Sequence, residues 1–251
     1  MGAAEIAAIA AAGMAAGAIN TLVGSGTLIT FPVLLAFGYS PVTANVSNTI
    51  GLVPGSVSGA IGYRRELAGQ RSRAWRLGTA AVLGGITGAV GLLLLPDSLF
   101  DAIVPGFIAV ALVLILLQPA LARRLAARGT TRAANGGAAT GAGVYLTGIY
   151  GGYFGAAQGI LLLAILGTTL DEELQRVNAL KNVLAGLVNG VAGLIFIFAA
   201  HVAWAPVALI AAGSVGGAQL GAAFGRRLPP AALRGFIVVV GVAAIVQLLA
   251  P

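Results

Sequence analysis

The chain has 251 residues, 59% of them hydrophobic and 8% charged, with a net charge of +7 and no cysteine. A soluble domain carries about 25% charged residues, so this composition excludes an ordinary soluble enzyme and points to an integral membrane protein. Without Cys there is no disulfide, thiolate metal site or thiol nucleophile, and the positive charge reads as membrane topology rather than as a nucleic-acid surface.

A helix needs roughly 20 apolar residues to cross the hydrocarbon. The opening "MGAAEIAAIAAAG" lacks a basic n-region and carries Glu5, so it reads as a first spanning helix over about 4–22 rather than a cleaved signal. Apolar stretches follow at about 27–37, 43–62, 74–95 and 99–118. A polar, basic connection over 119–137 comes next, then further stretches at about 138–153, 157–167, 178–199, 203–224 and 231–250. The second and the seventh are too short to span in the ordinary way. The expected fold is an all-α integral membrane protein of about eight to ten transmembrane segments.

With all ten segments crossing and the N-terminus outside, one side of the membrane receives every one of the 14 Lys and Arg residues. They lie in or beside Arg64–Arg76, the 119–137 connection, 168–177 and 225–230. Glu5, Asp97 and Asp101 fall on the opposite side. The positive-inside rule makes the basic side cytoplasmic. An eight-helix count with both short segments re-entrant is expected to move Arg176 and Lys181 relative to Arg226 and to spoil this separation.

The two halves resemble each other. Sliding the second onto the first so that Gly26 meets Gly159 also puts Leu28 on Leu161, Asn45 on Asn178, Ile61 on Leu194 and Tyr63 on Phe196. Gly84 then meets Gly217, Gly88 meets Gly221, and Pro96 meets Pro229. The reading is a duplication, with a first repeat over 1–118 and a second over 138–251. Five crossings per half make the second copy inverted, and inverted-topology repeats with paired broken helices are a recurrent design of secondary transporters.

The stretch "GSGTLITFPVLLAFG" followed by "PVTANVSNTIGLVPGSVSGAIGYRRE" resembles the sulfite exporter TauE/SafE permease family. The second copy, "GIYGGYFGAAQGILLLAILG" and "VNALKNVLAGLVNGVAGLIF", is similar to that family's other repeat. The resemblance covers nearly the whole chain. It implies a bacterial inner-membrane carrier for a small sulfur-containing anion such as sulfite or an organosulfonate. Ala156, Ala157 and Gln158 depart from the Gly-rich pattern of the second repeat, and Thr27 departs from the first. These departures bear on the shape of the pocket.

The chemistry is expected at the breaks. Gly24 and Gly26 permit unusual backbone angles, and the helix that starts near Thr27 aims its first N–H groups and its positive dipole end back at the gap. Ser25 and Thr27 add hydroxyls. In the second copy Gly155 and Gly159 make the break and Gln158 supplies an amide. Close packing of small residues is the competing reading of each glycine taken singly. The spacing of Asn45, Asn48 and Thr49 puts them on one helix face, as does that of Asn178, Lys181 and Asn182. These side chains either cap the broken helix ends or hold substrate oxygens. Lys181 either faces the pathway as a counter-charge or snorkels to the interface one turn away.

Gly51, Gly55 and Gly59, with Gly217, Gly221 and Gly225, form small-xxx-small faces read as internal packing, with a homo-oligomer left open. Asp171 is expected as a helix N-cap with Glu172 and Glu173 in the first turn. No carboxylate falls in the interior of a spanning segment, Glu5 and Asp101 standing at segment ends, so coupling to H+ or Na+ would have to use backbone oxygens, Lys181 or the substrate's own proton. There is no nucleotide, metal or hydrolase signature, and no cofactor is expected. The resulting expectation is an alternating-access carrier of a small anion. A passive anion channel on the same fold, or a non-transporting membrane subunit, is the alternative.

Overall fold

The computed structural model describes residues 1–127, 136–224 and 230–249. Arg128, Arg132, Gly225, Arg226, Arg227 and Pro229 lie outside the described residues. The described chain is helical: α1 (Ala3–Leu22), α2 (Thr27–Ala36), α3 (Pro41–Gly62), α4 (Arg71–Leu94), α5 (Asp97–Ala127), α6 (Ala138–Tyr153), α7 (Gln158–Thr169), α8 (Leu174–Ala199), α9 (Trp204–Phe224) and α10 (Pro230–Leu249). The protein is an all-α integral membrane protein, and five of these helices are long and apolar enough to cross a bilayer by length and composition. The two short helices stand where the apolar windows predicted them. Helix α5 runs on to Ala127, well past the apolar stretch that ends near 118.

Local sequence explains the boundaries. Helix α3 begins with Pro41 at its first position, where the missing N–H is no loss, and the Ser40 hydroxyl accepts from the Thr43 N–H at 3.4 Å. Helix α8 begins at Leu174 with Glu173 at the N-cap. The expected Asp171 cap is therefore displaced by two residues. The physical reason is that the Glu172 carboxylate is taken by arginines on two helices and holds the preceding loop extended.

At 1.5 Å per residue, α2 and α7 rise only about 15 and 18 Å, against a hydrocarbon core of about 30 Å. The Tyr39 hydroxyl, just after α2, donates to Glu5 at the start of α1 at 3.0 Å, so α1 and α2 begin and end at one face. Helices α6 and α7 do the same at the opposite face, where Arg76 donates to Gly136 O at 2.8 Å and Arg73 pairs with Glu172 at 2.9 Å. Each long helix and its short successor thus form a hairpin that enters and leaves by the same side. This corrects the expectation about Arg176 and Lys181. Counting both hairpins as re-entrant takes away four crossings and leaves six, and Arg176 and Lys181 then keep the side they have in the ten-segment count.

Helix pairing follows an exchange rule. Helix α1 packs on α9 and α6 packs on α4; α3 packs on α9 and α8 on α4; α2 meets α10 and α7 meets α5; α3 and α8 pack together, as do α5 and α10. Glycines set the tightest approaches. A Cβ at Gly13 of α1 would lie 2.8 Å from the Ile210 Cα of α9, and one at Gly148 of α6 would lie 2.8 Å from the Ala81 carbonyl of α4. Gly51 and Gly55 abut Ile210 and Ser214 of α9, Gly59 abuts Thr21, and Gly221 abuts Ala18. The described part of both small-residue faces is therefore spent inside the chain.

Candidate functional site

The two breaks are built alike. Helix α1 closes where the Val23 and Gly24 N–H groups both donate to Ile19 O, at 2.7 and 3.1 Å, with Gly24 at φ +84°. Helix α6 closes where Phe154 and Gly155 both donate to Tyr150 O, at 2.9 and 3.0 Å, with Gly155 at φ +79°. This turn needs a left-handed residue, which glycine supplies without a Cβ penalty. Gly24 is therefore the structural counterpart of Gly155. That register is two residues out of step with the one that aligns Asn45 and Asn178. The ten residues of α2 against the twelve of α7 absorb the difference.

The breaks meet. Gly159 donates its N–H to Gly24 O at 3.1 Å, and each glycine's missing Cβ would fall onto the other's Cα. The expected gap between the breaks is closed at this point by backbone-to-backbone contact. The asparagine clusters lie around the crossing. Asn45 donates to Tyr153 O at 2.9 Å, while Asn178 and Asn182 both donate to Thr21 O, at 3.2 and 3.3 Å. Each repeat's cluster thus caps the broken helix of the other repeat. Asn48 instead donates to the Thr27 hydroxyl at 3.2 Å and accepts from Thr30. Thr49 is buried beside it on the same face.

Lys181 is fully buried, at 0% exposure. Its ammonium donates to Asn20 O at 2.9 Å and Thr21 O at 3.3 Å. The side chain runs inward, with its Cδ against Gly159, so the snorkelling alternative does not describe it. The C-terminal carbonyls of α1 carry partial negative charge, which is why a cation settles there.

Around this crossing several polar groups lack partners among the described residues. The N–H groups of Ser25, Gly26 and Thr27 find no acceptor, and neither do those of Ala156 and Ala157. The Ser25 hydroxyl and the Gln158 side-chain nitrogen are buried and unpaired, as are the Asn45 and Asn178 side-chain oxygens. Buried polar groups are normally satisfied, and each exception calls for a cause. The unpaired donors gather at Ser25–Thr27 and at Ala156–Gln158, and a first helical turn beside each group supplies positive potential. Such a site suits an acceptor-rich anion. Ala157, at φ +60°, is the one non-glycine residue among those described in the left-handed region. Strain of this kind gathers at binding sites.

The sequence reading did not single out Asn20 and Thr21, whose carbonyls collect four donated hydrogen bonds. Their position just before the "VGSG" break was the available signal. It also missed the cluster at the far end of α8. There Glu172 binds Arg73 of α4 at 2.9 Å and Arg176 at 2.5 Å. Gln70, buried, donates to Glu66 O and Arg176 O. Burial works to raise the Glu172 pKa, but the hydrogen bonds from Arg176 and Arg73 outweigh it and hold the carboxyl below its usual range.

The family model for Sulfite exporter TauE/SafE matches residues 9–248. A Probable membrane transporter protein, YfcA, of Escherichia coli strain K12 is 27% identical over 242 residues, covering 94% of this chain and 86% of the relative. A Probable membrane transporter protein of Haemophilus influenzae is 25% identical over 210 residues, covering 84% and 81%. No solved structure matches the chain. The apolar helices, the paired breaks and a family match running nearly end to end identify a multi-pass membrane transporter, not an enzyme, and the chain belongs to the sulfite exporter TauE/SafE family.

Proposed function

We propose that this protein is a secondary carrier that moves a small sulfur oxyanion, such as sulfite or an organosulfonate, across the bacterial inner membrane by alternating access. The observation that carries the reading is the cluster of buried, unpaired donors at the crossing of the breaks: the N–H groups of Ser25, Gly26 and Thr27, the Ser25 hydroxyl and the Gln158 amide. A tetrahedral or pyramidal oxyanion offers several acceptor oxygens to such a set, and Lys181 lies one residue layer away, across Gly159. Asn45, Asn48, Asn178, Lys181, Asn182 and Gly155 hold the helix ends that shape this site, and Thr49 is buried next to Asn48.

Two inverted repeats provide the mechanism. Supporting this are the exchange rule of helix pairing and two hairpins that enter from opposite faces. In this reading the faces open in turn by rocking one hairpin and its supporting helices against the other. The basic face is cytoplasmic by the positive-inside rule. Purified protein in proteoliposomes is expected to take up labelled sulfite saturably. The absence of native Cys allows Ser25→Cys and Gln158→Cys to be probed with a water-soluble thiol reagent. Sulfite should slow labelling of both. If purified protein moves no sulfite, and neither position labels from either side, the reading is wrong.

A further inference from the structure

Lys181 poses a charge problem that the carrier reading leaves open. Its ammonium is fully buried, and its two partners are neutral carbonyls. The C-terminal end of α1 contributes only partial negative charge, which cannot balance a full cation. The helices packed around Lys181 offer nothing further. Helix α3, whose Ser56 hydroxyl accepts from Asn20, has no titratable residue, and α7, whose Gly159 touches the lysine stem, has none either. On α1 the acid is Glu5, fifteen residues before Asn20 and on the order of 22 Å away along the helix. On α8 the nearest charged side chain is Arg176. Beyond it Glu172, in the extended loop before the helix, is already held by Arg73 and Arg176.

The dipole ends do not change this sum. At each break a helix C-terminus lies beside a helix N-terminus, α1 beside α2 and α6 beside α7, so their partial charges of opposite sign offset one another. A protonated Lys181 therefore keeps an uncompensated positive charge at the crossing. A buried ion without a counter-ion is among the most unfavourable arrangements a protein interior can hold. An anion on the donor set supplies the missing charge at the moment the site closes.

We infer that this protein is an anion exchanger: Lys181 lets the site close around a bound anion and opposes closure around none, so each inward passage of an anion is matched by an outward one. A carrier returns between its two open forms through a closed form. If that form is accessible only when loaded, net movement is slow and exchange is fast. The inference rests on the carrier reading of the same site and adds the mode of transport to it.

The test uses the full chain in proteoliposomes with labelled sulfite as the probe. Uptake into vesicles preloaded with unlabelled sulfite is compared with uptake into vesicles containing gluconate alone. The wild type is expected to show roughly tenfold or faster uptake into the preloaded vesicles, because an unbalanced buried ion far exceeds the penalty that slows a step tenfold. Lys181→Met, which keeps length and loses charge, is expected to bring the ratio close to one. Should that variant not assemble, Lys181→Gln keeps a donor for the Asn20 and Thr21 carbonyls without the cation and takes its place. Equal uptake into both vesicle types by the wild type overturns the inference and leaves the carrier standing. An undiminished ratio in the charge-neutral variant overturns it as well. If no sulfite moves under any condition, the proposed function itself fails.

Discussion

Alanine at Gly24 is expected to be far more damaging than alanine at Gly38, although both glycines have φ +84°. A left-handed alanine costs about 1–2 kcal/mol at either place. At Gly38 nothing lies within 4 Å of the added Cβ, so the backbone term stands alone. At Gly24 the Cβ would drive into the Gly159 Cα and lie 3.0 Å from its carbonyl carbon. Both neighbours are backbone and cannot swing aside, which adds about 1–3 kcal/mol for overpacking. For a chain of this size each kcal/mol moves the melting temperature by about 2–4 °C. Thermal unfolding of the purified variants should therefore place Gly38→Ala about 2–8 °C below the wild type, and Gly24→Ala a further ~2–12 °C lower. Gly159→Ala, with an ordinary φ, bears the packing term without the backbone term. Because both alanines strain one contact, the double variant should lose less than the sum of the two singles. Equal melting of Gly24→Ala and Gly38→Ala, or strict additivity with Gly159→Ala, would refute the crossing of the breaks.

Ala157→Gly relieves a left-handed alanine and adds glycine's chain entropy, terms of about 1–2 and 0.5–1 kcal/mol. Its melting point should equal or exceed the wild type's, and a drop of several degrees would show that the methyl group is needed where it sits. Asn45→Ala removes the donor to Tyr153 O and should cost about 1–3 kcal/mol, seen as a lower melting temperature; no change would mean the α6 end is satisfied otherwise. Glu172 has a depressed pKa, so its contribution to stability is present above its unfolded value of about 4.3 and is lost as pH falls through the lower folded value. Melting temperatures measured from about pH 6 to 3 should therefore fall more steeply for the wild type than for Glu172→Gln, and parallel curves would remove the ion cluster from the account.

Much of this architecture was legible. The short helices were marked by Gly on one side and by apolar runs too brief to span, and they appear at Thr27–Ala36 and Gln158–Thr169. The asparagine clusters were legible because amides in a membrane helix require partners, and the helix spacing put each cluster on one face. Their targets were not legible. That Asn178 reaches Thr21 while Asn45 reaches Tyr153 depends on which hairpin faces which helix, and a linear pattern is silent about that. The match of Gly26 to Gly159 was misleading for a related reason. Backbone hydrogen bonding, not residue identity, defines the turn, and it aligns Gly24 with Gly155. Glu172 read as a first-turn residue behind an Asp171 cap because only its neighbours in sequence were in view, whereas its partner Arg73 arrives from ninety-nine residues away.

The two faces are closed by different chemistry. At the basic face Arg73 of α4 grips Glu172, Gln70 just before α4 donates to the Arg176 carbonyl, and Arg176 returns a bond to Ala68 O of the α3–α4 connection at 3.1 Å. At the other face the corresponding connection, between α8 and α9, is tied by one neutral bond from the Ala203 N–H to the Ser47 hydroxyl at 3.0 Å. Hydrogen bonds to charged groups contribute about 1.5–3 kcal/mol each, and neutral ones about 0.5–1.5. Separating the basic face therefore breaks stronger and more numerous bonds than separating the acidic face. A cycle that visits both open forms at useful rates needs a compensating term. A bound anion balancing Lys181 does not discriminate between the faces, because the lysine lies at the crossing of the breaks, so the difference falls on the links at the two ends. On the proposed carrier reading, the ion cluster at Glu172 is thus the element that sets which way the protein rests.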